Sequence, residues 1–250
     1  MTVNTKKLMK KIKSMNALFD NDDHHDSHEF LIWLLNTVHE EISPPPQRGS
    51  LVSEVFEGDL ISRTRCLECE NGNEREETFM ALSLDIEKGH SLNQCIRQFA
   101  HKEWMLNQDK FYCETCCTKQ VATRQMMIKR KPAALVVHLK RFKIDPKTLR
   151  YQKLAHRIPF PTELRIESAL DDSNDILYNL KGIVVHLGQG YAYGHYFALI
   201  KSRGRWLRFD DTSVDLVDEK YIKALFGSGH GSSESNWPTA YMLLYDSDLL

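Results

Sequence analysis

The amino-acid sequence predicts an α+β fold, with helices first and a long run of mostly antiparallel strands after them. Two observations carry this prediction. Near the N-terminus, apolar residues recur at helical spacing. From Leu51 onward the texture changes to short alternating stretches, the pattern of half-buried strands.

The elements follow in order. Leu8, Ile12, Met15 and Phe19 recur at steps of four, three and four, predicting an amphipathic helix with its lysines outside. That basic face reads as a solvated surface rather than a nucleic-acid patch. "LFDNDDHHDSHEF" breaks the pattern, and Asp26 followed by Glu29 has the spacing of a capping box. Phe30, Leu31, Leu34, Leu35 and Val38 form the expected buried stripe of a second helix. "SPPPQRGS" ends it and marks a loop. The stretch beginning "LVSEVFEGDLISRTRCLEC" is strand-like, "SLNQCIRQFA" reads as a brief helix, and "MMIKRKPAALVVHLKRFKI" has the β-branched richness of long strands. "YNLKGIVVHLG", "HYFALIKS", "RWLRFDD" and "AYMLLYD" supply the last strands, and no internal repeat is evident. "GSGHGSSESNWP" reads as a flexible loop rather than a domain linker.

At 250 residues the chain has room for one large domain or two small ones with a substantial core. Its composition is that of a globular protein, 42% hydrophobic and 27% charged, and its net charge of -1 implies neither nucleic-acid nor membrane binding. No apolar run has the length of a membrane span. The lysine-rich start lacks the apolar core of a secretory signal and the arginines of a mitochondrial presequence. A cytoplasmic or nuclear location with reduced cysteines is therefore expected.

Four of the six cysteines form two matched pairs, Cys66-Leu-Glu-Cys69 and Cys113-Glu-Thr-Cys116. Two such turns, each presenting two thiolates, suit tetrahedral zinc, and the long gap between them places the knuckles on two separate hairpins that meet. A pair of disulfides or incidental core cysteines is the alternative, and a reducing compartment favours zinc. Four cysteine ligands leave no open position, so the site would be structural. Cys95 reads as a small core residue within a helix. Cys117 competes with Cys116 as a ligand, but Cys116 has the better spacing.

"GHYFALIKSRGRWLRFDD" places His195, two strand-like stretches joined by a tight turn, and then Asp210 and Asp211. Adjacent antiparallel strands would bring the imidazole and a carboxylate together, the arrangement that serves a nucleophile. As bare residues, a histidine and an aspartate are more often structural. Neither Cys95 nor Cys117 is placed to act as the nucleophile.

Together these stretches resemble the papain-like ubiquitin-specific proteases. "GHYFALIKSRGRWLRFDD" is similar to their histidine box, "HHDSHEFL" to their acidic helix start, "RCLEC" and "YCETCC" to their zinc-bearing fingers, and "VVHLKRFK" to their central strand. "YCETCC", "LKRFK" and "FPTELR" look closest to the subfamily that WD-repeat proteins activate, which makes those proteins candidate activators. The resemblance implies a single catalytic domain over 1–250: partial helical thumb (1–50), β fingers with a structural Zn2+ (51–130) and antiparallel β palm (131–250). It implies ubiquitin and ubiquitinated proteins as partners, with no nucleic acid and no membrane. His195 would be the general base, Asp210 its orienting carboxylate, and Asp211 a support for water or the oxyanion. Asp26 and Glu29 would hold the arginine-containing ubiquitin tail, a role compatible with helix capping. Gly188, Gly190 and Gly194 would form a mobile lip over the tail channel. The cysteine box with which family members begin is absent, so the chain is expected to be an N-terminally truncated protease, inactive as written, with its thumb helices exposing an apolar face. The alternative is a ubiquitin-binding scaffold that has lost the chemistry. A zinc-ribbon nucleic-acid binder is disfavoured by the near-neutral charge.

Overall fold

The computed structural model describes residues 5–21, 23–43, 49–166, 175–188, 190, 193–228 and 237–247. Helix α1 spans Lys6–Met15, and a 3-10 turn follows at Ala17–Phe19. The apolar stripe expected to run along one helix is thus divided at Asn16, whose side chain accepts a hydrogen bond from the Leu18 N–H. Asparagine readily bonds nearby backbone donors, which stops helices and starts turns. Ile12 and Phe19 are buried, whereas Leu8 and Met15 are exposed. Helix α2 spans Ser27–Ile42. Its stripe is covered less than expected: Leu35 is buried, Val38 is exposed, and Phe30, Leu31 and Leu34 lie between. Spacing determines which side chains share a helix face, but only packing determines whether that face is covered. Phe19 lies against Phe30 and Trp33, joining the turn to α2. Leu51–Phe56, expected to open the strand-like part, instead forms helix α3, because Ser50 and Ser53 cap its start reciprocally; the strands begin at Gly58.

The chain continues through β1 (Gly58–Cys66), β2 (Gly72–Phe79), β3 (Leu82–Leu84), α4 (Leu92–Phe99), β4 (Glu103–Met105), β5 (Phe111–Cys113), β6 (Thr118–Gln120) and β7 (Ala122–Arg130). Strands β2-β1-β7-β4 make a four-stranded antiparallel sheet, and β5-β6 a separate hairpin. Edge strand β2, "GNEREETF", is exposed along nearly its whole length, and its charges discourage pairing with another chain.

Next come β8 (Ala134–Leu139), β9 (Phe142–Ile144), β10 (Tyr151–Lys153), β11 (Glu163–Ile166), β12 (Ile176–Leu187), β13 (His195–Ser202), β14 (Arg205–Asp210), β15 (Ser213–Val217), α5 (Glu219–Ala224) and β16 (Thr239–Ser247). The large sheet has eight strands, β15-β14-β13-β12-β16-β8-β3, with β11 added on β12. Its β3–β8 pairing is parallel and its other pairings are antiparallel. The apolar run "ALVVHL" is buried on both faces because β8 lies inside this sheet. Pro132, which cannot donate to a ladder, falls between β7 and β8. Segment 51–130 contributes to both large sheets, since Leu82, Leu84, Leu92 and Cys95 share a core with Val137, Val185, Leu199 and Trp206. No described helix is long and apolar enough to cross a membrane.

Arg141 is fully buried and has backbone carbonyls as its partners. Its guanidinium donates to the oxygens of Ala240 (2.6 Å), Leu154 and His156 (both 3.0 Å) and Phe226 (3.3 Å). One planar fork therefore joins β16 to the connections after β10 and α5. Burial pushes this guanidinium down to about 9.

Candidate active site and metal centre

Strands β13 and β14 form a hairpin in which Ser202 pairs with Arg205. The two residues between them, Arg203 and Gly204, have φ of 49° and 77°, the left-handed geometry of a tight hairpin turn. His195 opens β13 and Asp210 closes β14, so the hairpin brings both to one end of the sheet. His195 Nε2 donates to Asp210 Oδ1 at 2.5 Å. Arg208 donates to the other carboxylate oxygen, and its guanidinium lies 4.7 Å from the centre of the Phe197 ring. The bond from His195, and then Arg208, holds the Asp210 carboxyl below its usual range. An ionised carboxylate only accepts, so the shared proton belongs to Nε2, leaving the Nδ1 lone pair as the base.

Asp211 has φ of 50° and turns the chain from β14 into β15. Aspartate tolerates this conformation better than most residues. Its carboxylate remains exposed, within 4.8 Å of the ligating atoms of His195 and Asp210.

Asp26 and Glu29 occupy different environments. Asp26 is buried and caps α2. Its Oδ1 accepts from the N–H groups of His28 (2.7 Å) and Glu29 (3.1 Å), and its Oδ2 from the Tyr241 hydroxyl (2.5 Å). Glu29 is exposed. The His28 ring stacks on His138 with centroids 4.0 Å apart, and Tyr241 meets His138 edge-on. Burial, followed by the neighbouring His28, lowers His138 to about 3, so this imidazole is neutral at physiological pH. The start of α2 is thereby docked on β8 and β16. Replacing Asp26 with alanine removes two capping bonds and the Tyr241 acceptor, with an expected cost of about 2–3 kcal/mol in urea unfolding. Glu29→Ala should change stability by less than about 0.5 kcal/mol.

The glycines beside His195 have steric reasons. Gly188 has φ of +131°, and a Cβ there would stand 2.8 Å from the Gly194 Cα. A Cβ on Gly194 would meet His186 Nε2 at 2.1 Å. Gln189, Tyr191 and Ala192, which belong to the expected lip, lie outside the described residues.

The cysteine knuckles are brought together as their spacing implies. Cys66 ends β1 and Cys69 follows in the turn to β2, while Cys113 ends β5 and Cys116 follows in the turn to β6. All four sulfurs lie within 4.8 Å of one another, with Cys69 and Cys113 at 3.5 Å. Sulfurs bound tetrahedrally to zinc stand about 3.8 Å apart, so the group could hold that ion. The Cys116 backbone N–H, ahead of other causes, draws the Cys113 thiol down to about 7, while Cys69 pushes Cys116 up to about 12. Crowded thiols keep protons that a divalent cation would displace. Cys117 is exposed, with φ of 54°, and its thiol donates to the Glu114 carbonyl. Cys95 is buried in α4.

Arg141 and Lys153 were not singled out by the sequence patterns. The available signal was a cation inside or beside an apolar strand, in "VVHLKRF" and "YQKL".

A family profile described as Ubiquitin carboxyl-terminal hydrolase matches residues 1–245. Ubiquitin carboxyl-terminal hydrolase 4 of Arabidopsis thaliana is 39% identical, covering 97% of this chain and 74% of that protein. Ubiquitin carboxyl-terminal hydrolase 12 of Salmo salar is 37% identical, covering 97% of this chain and 72% of that protein. Among solved structures, the SAGA DUB module Ubp8/Sgf11/Sus1/Sgf73 bound to monoubiquitin gives a TM-score of 0.82 at 30% identity, covering 97% of this chain and 53% of that one. The same module bound to ubiquitin aldehyde gives 0.82 at 28% identity, covering 99% and 56%. The chain thus spans about three quarters of these curated relatives and about half of the solved chains. It belongs to the ubiquitin carboxyl-terminal hydrolase family.

Proposed function

We propose that this chain is a ubiquitin-specific protease domain that binds ubiquitin and carries the histidine–aspartate half of a thiol protease triad for hydrolysis at the ubiquitin C-terminal glycine. The observation carrying this reading is the His195–Asp210 bond on Nε2, which leaves Nδ1 to take a thiol proton. Asp211 beside them supports water or the developing oxyanion. Glu29 offers an exposed carboxylate to the basic ubiquitin tail, and Asp26 holds the helix start beneath it. Cys66, Cys69, Cys113 and Cys116 hold a structural Zn2+ that keeps the two knuckles together. WD-repeat proteins are the activators to test, on the resemblance of "YCETCC" and "FPTELR" to the subfamily they activate.

One observation favours the second reading, a ubiquitin-binding scaffold without chemistry. Four cysteines form the metal group, Cys95 is inside α4, and Cys117 is committed to the β5–β6 turn, so none stands beside His195. Both readings are tested by ubiquitin titration calorimetry together with a ubiquitin C-terminal electrophile that labels active-site thiols. Binding without labelling is expected of the chain alone. Absence of binding would overturn the ubiquitin reading. Labelling that His195→Ala abolishes would show that one of the six cysteines serves the histidine.

A further inference from the structure

Lys153 is only 4% exposed, yet its described hydrogen bonds go to no carboxylate. Its ammonium donates to three backbone carbonyls: His186 (3.1 Å), Gly188 (2.9 Å) and Trp237 (3.1 Å). His186 and Gly188 flank Leu187, the cross-strand partner of His195. Trp237 lies just ahead of β16, where Thr239 pairs with His186. The His186 ring sits against Gly194, next to His195, and meets Tyr196 at 4.9 Å. A single cation on β10 therefore holds the end of β12, the approach to β16 and, through them, the first residues of β13.

We propose that Lys153 is a positioning residue: its buried amine clasps the 186–188 backbone against β10 and so sets the place of His195 and of the ubiquitin-tail channel beside it. The channel part of this inference rests on the function proposed above, and the clasp itself does not. A protonated amine has three N–H donors, matching three carbonyls, whereas a neutral amine has two and leaves one carbonyl unpaired. Burial, and then the charge of Arg141, pushes this ammonium down to about 7. His186, the titratable group facing it from β12, is lowered to about 4 by burial and then by Lys153, so it stays neutral through this range. His156, after β10, is also lowered by burial and Arg141. The lowered value means that this amine holds its proton more weakly in the clasp than in water. The linkage has the same sign for the clasp as for the whole fold. The folded value lies below the unfolded lysine value of about 10.4, so the unfolded chain holds more protons between these limits. Overall stability, and the closed clasp against any opening that returns Lys153 to water, therefore both gain from this group as pH rises through neutrality.

Hydrogen exchange of the full chain, read by mass spectrometry from pH 6 to pH 8.5 and corrected for intrinsic rates, tests the proposal. Protection of peptides spanning 185–197 should rise about tenfold across that range, as the cost of holding a proton in the closed clasp is relieved, while that of β1 and β7 changes less. Lys153→Met should leave 185–197 equally loose at every pH. Unchanged wild-type protection with pH overturns the clasp, as does a Lys153→Met effect spread evenly over the chain. If Lys153→Met does not fold, the wild-type pH series decides alone. Ubiquitin affinity over the same pH range tests the channel: it should rise with the protection. A constant affinity overturns the channel role, and no binding at any pH counts against the ubiquitin reading while exchange still judges the clasp.

Discussion

Cys113→Ala is expected to abolish stoichiometric zinc and to unfold the β5–β6 hairpin. The hairpin has three residue pairs, Phe111–Gln120, Tyr112–Lys119 and Cys113–Thr118. A two-stranded hairpin this short is not stable alone in water. Its described links to the β1–β2 knuckle include the Cys69–Cys113 contact, the bond from Asn71 to Thr115 at 3.2 Å and, just past β6, the Leu67 N–H to the Val121 carbonyl at 3.0 Å. A metal ion shared by four thiolates would supply what so few contacts cannot, since structural zinc contributes on the order of 10 kcal/mol of apparent binding energy in small peptides. The palm core, which draws on none of these four cysteines, should survive. Elemental analysis reports the metal, and hydrogen exchange reports the hairpin. A Cys113→Ala protein with full zinc content, or a metal-free protein whose hairpin stays protected, would refute the assignment.

Arg141→Met should cost about 3–5 kcal/mol. Each buried carbonyl left without a donor costs about 1–3 kcal/mol, and four lose the guanidinium, of which the Phe226 oxygen keeps the Ile158 N–H at 2.8 Å. Release of the buried charge offsets part of that loss. Arg141→Lys keeps a charge, but one ammonium cannot span four carbonyls arranged for a planar fork, so it should still cost about 2 kcal/mol. The measurement is urea unfolding with unchanged slope. A loss below about 1 kcal/mol for Arg141→Met would mean that other donors or water satisfy those carbonyls.

Much of the architecture is legible in the sequence because it rests on local chemistry. Period-2 alternation places β1 and β13, β-branched and apolar runs place β8 and β12, and the Ser91–Gln94 cap starts α4 where the brief helix is expected. The division of the first helix at Asn16 was less legible, since asparagine's bond to the turn competes with an otherwise helical stripe. The candidate site was legible where spacing itself carries chemistry. Two C-x-x-C turns that meet are suited to a shared metal, and a histidine and an aspartate on successive strands meet if those strands pair.

By itself, then, the sequence determined the α+β class, the strand-rich C-terminal part, the four-cysteine group and the pairing of His195 with Asp210. Only the tertiary structure decided which apolar faces are covered. Val38 shares a helical stripe with Leu35, yet one is exposed and the other buried. Only the tertiary structure divided Asp26 from Glu29, by placing Tyr241, 215 residues away, against the buried first while the second stays exposed. It alone made structural clasps of Arg141 and Lys153, whose partners lie up to 99 positions away in the chain. The physical reason is the range of the forces involved. Turn preferences, capping and ligand spacing act within a few residues and are written in order along the chain. Burial and the satisfaction of buried polar groups depend on segments that meet only when the chain has folded.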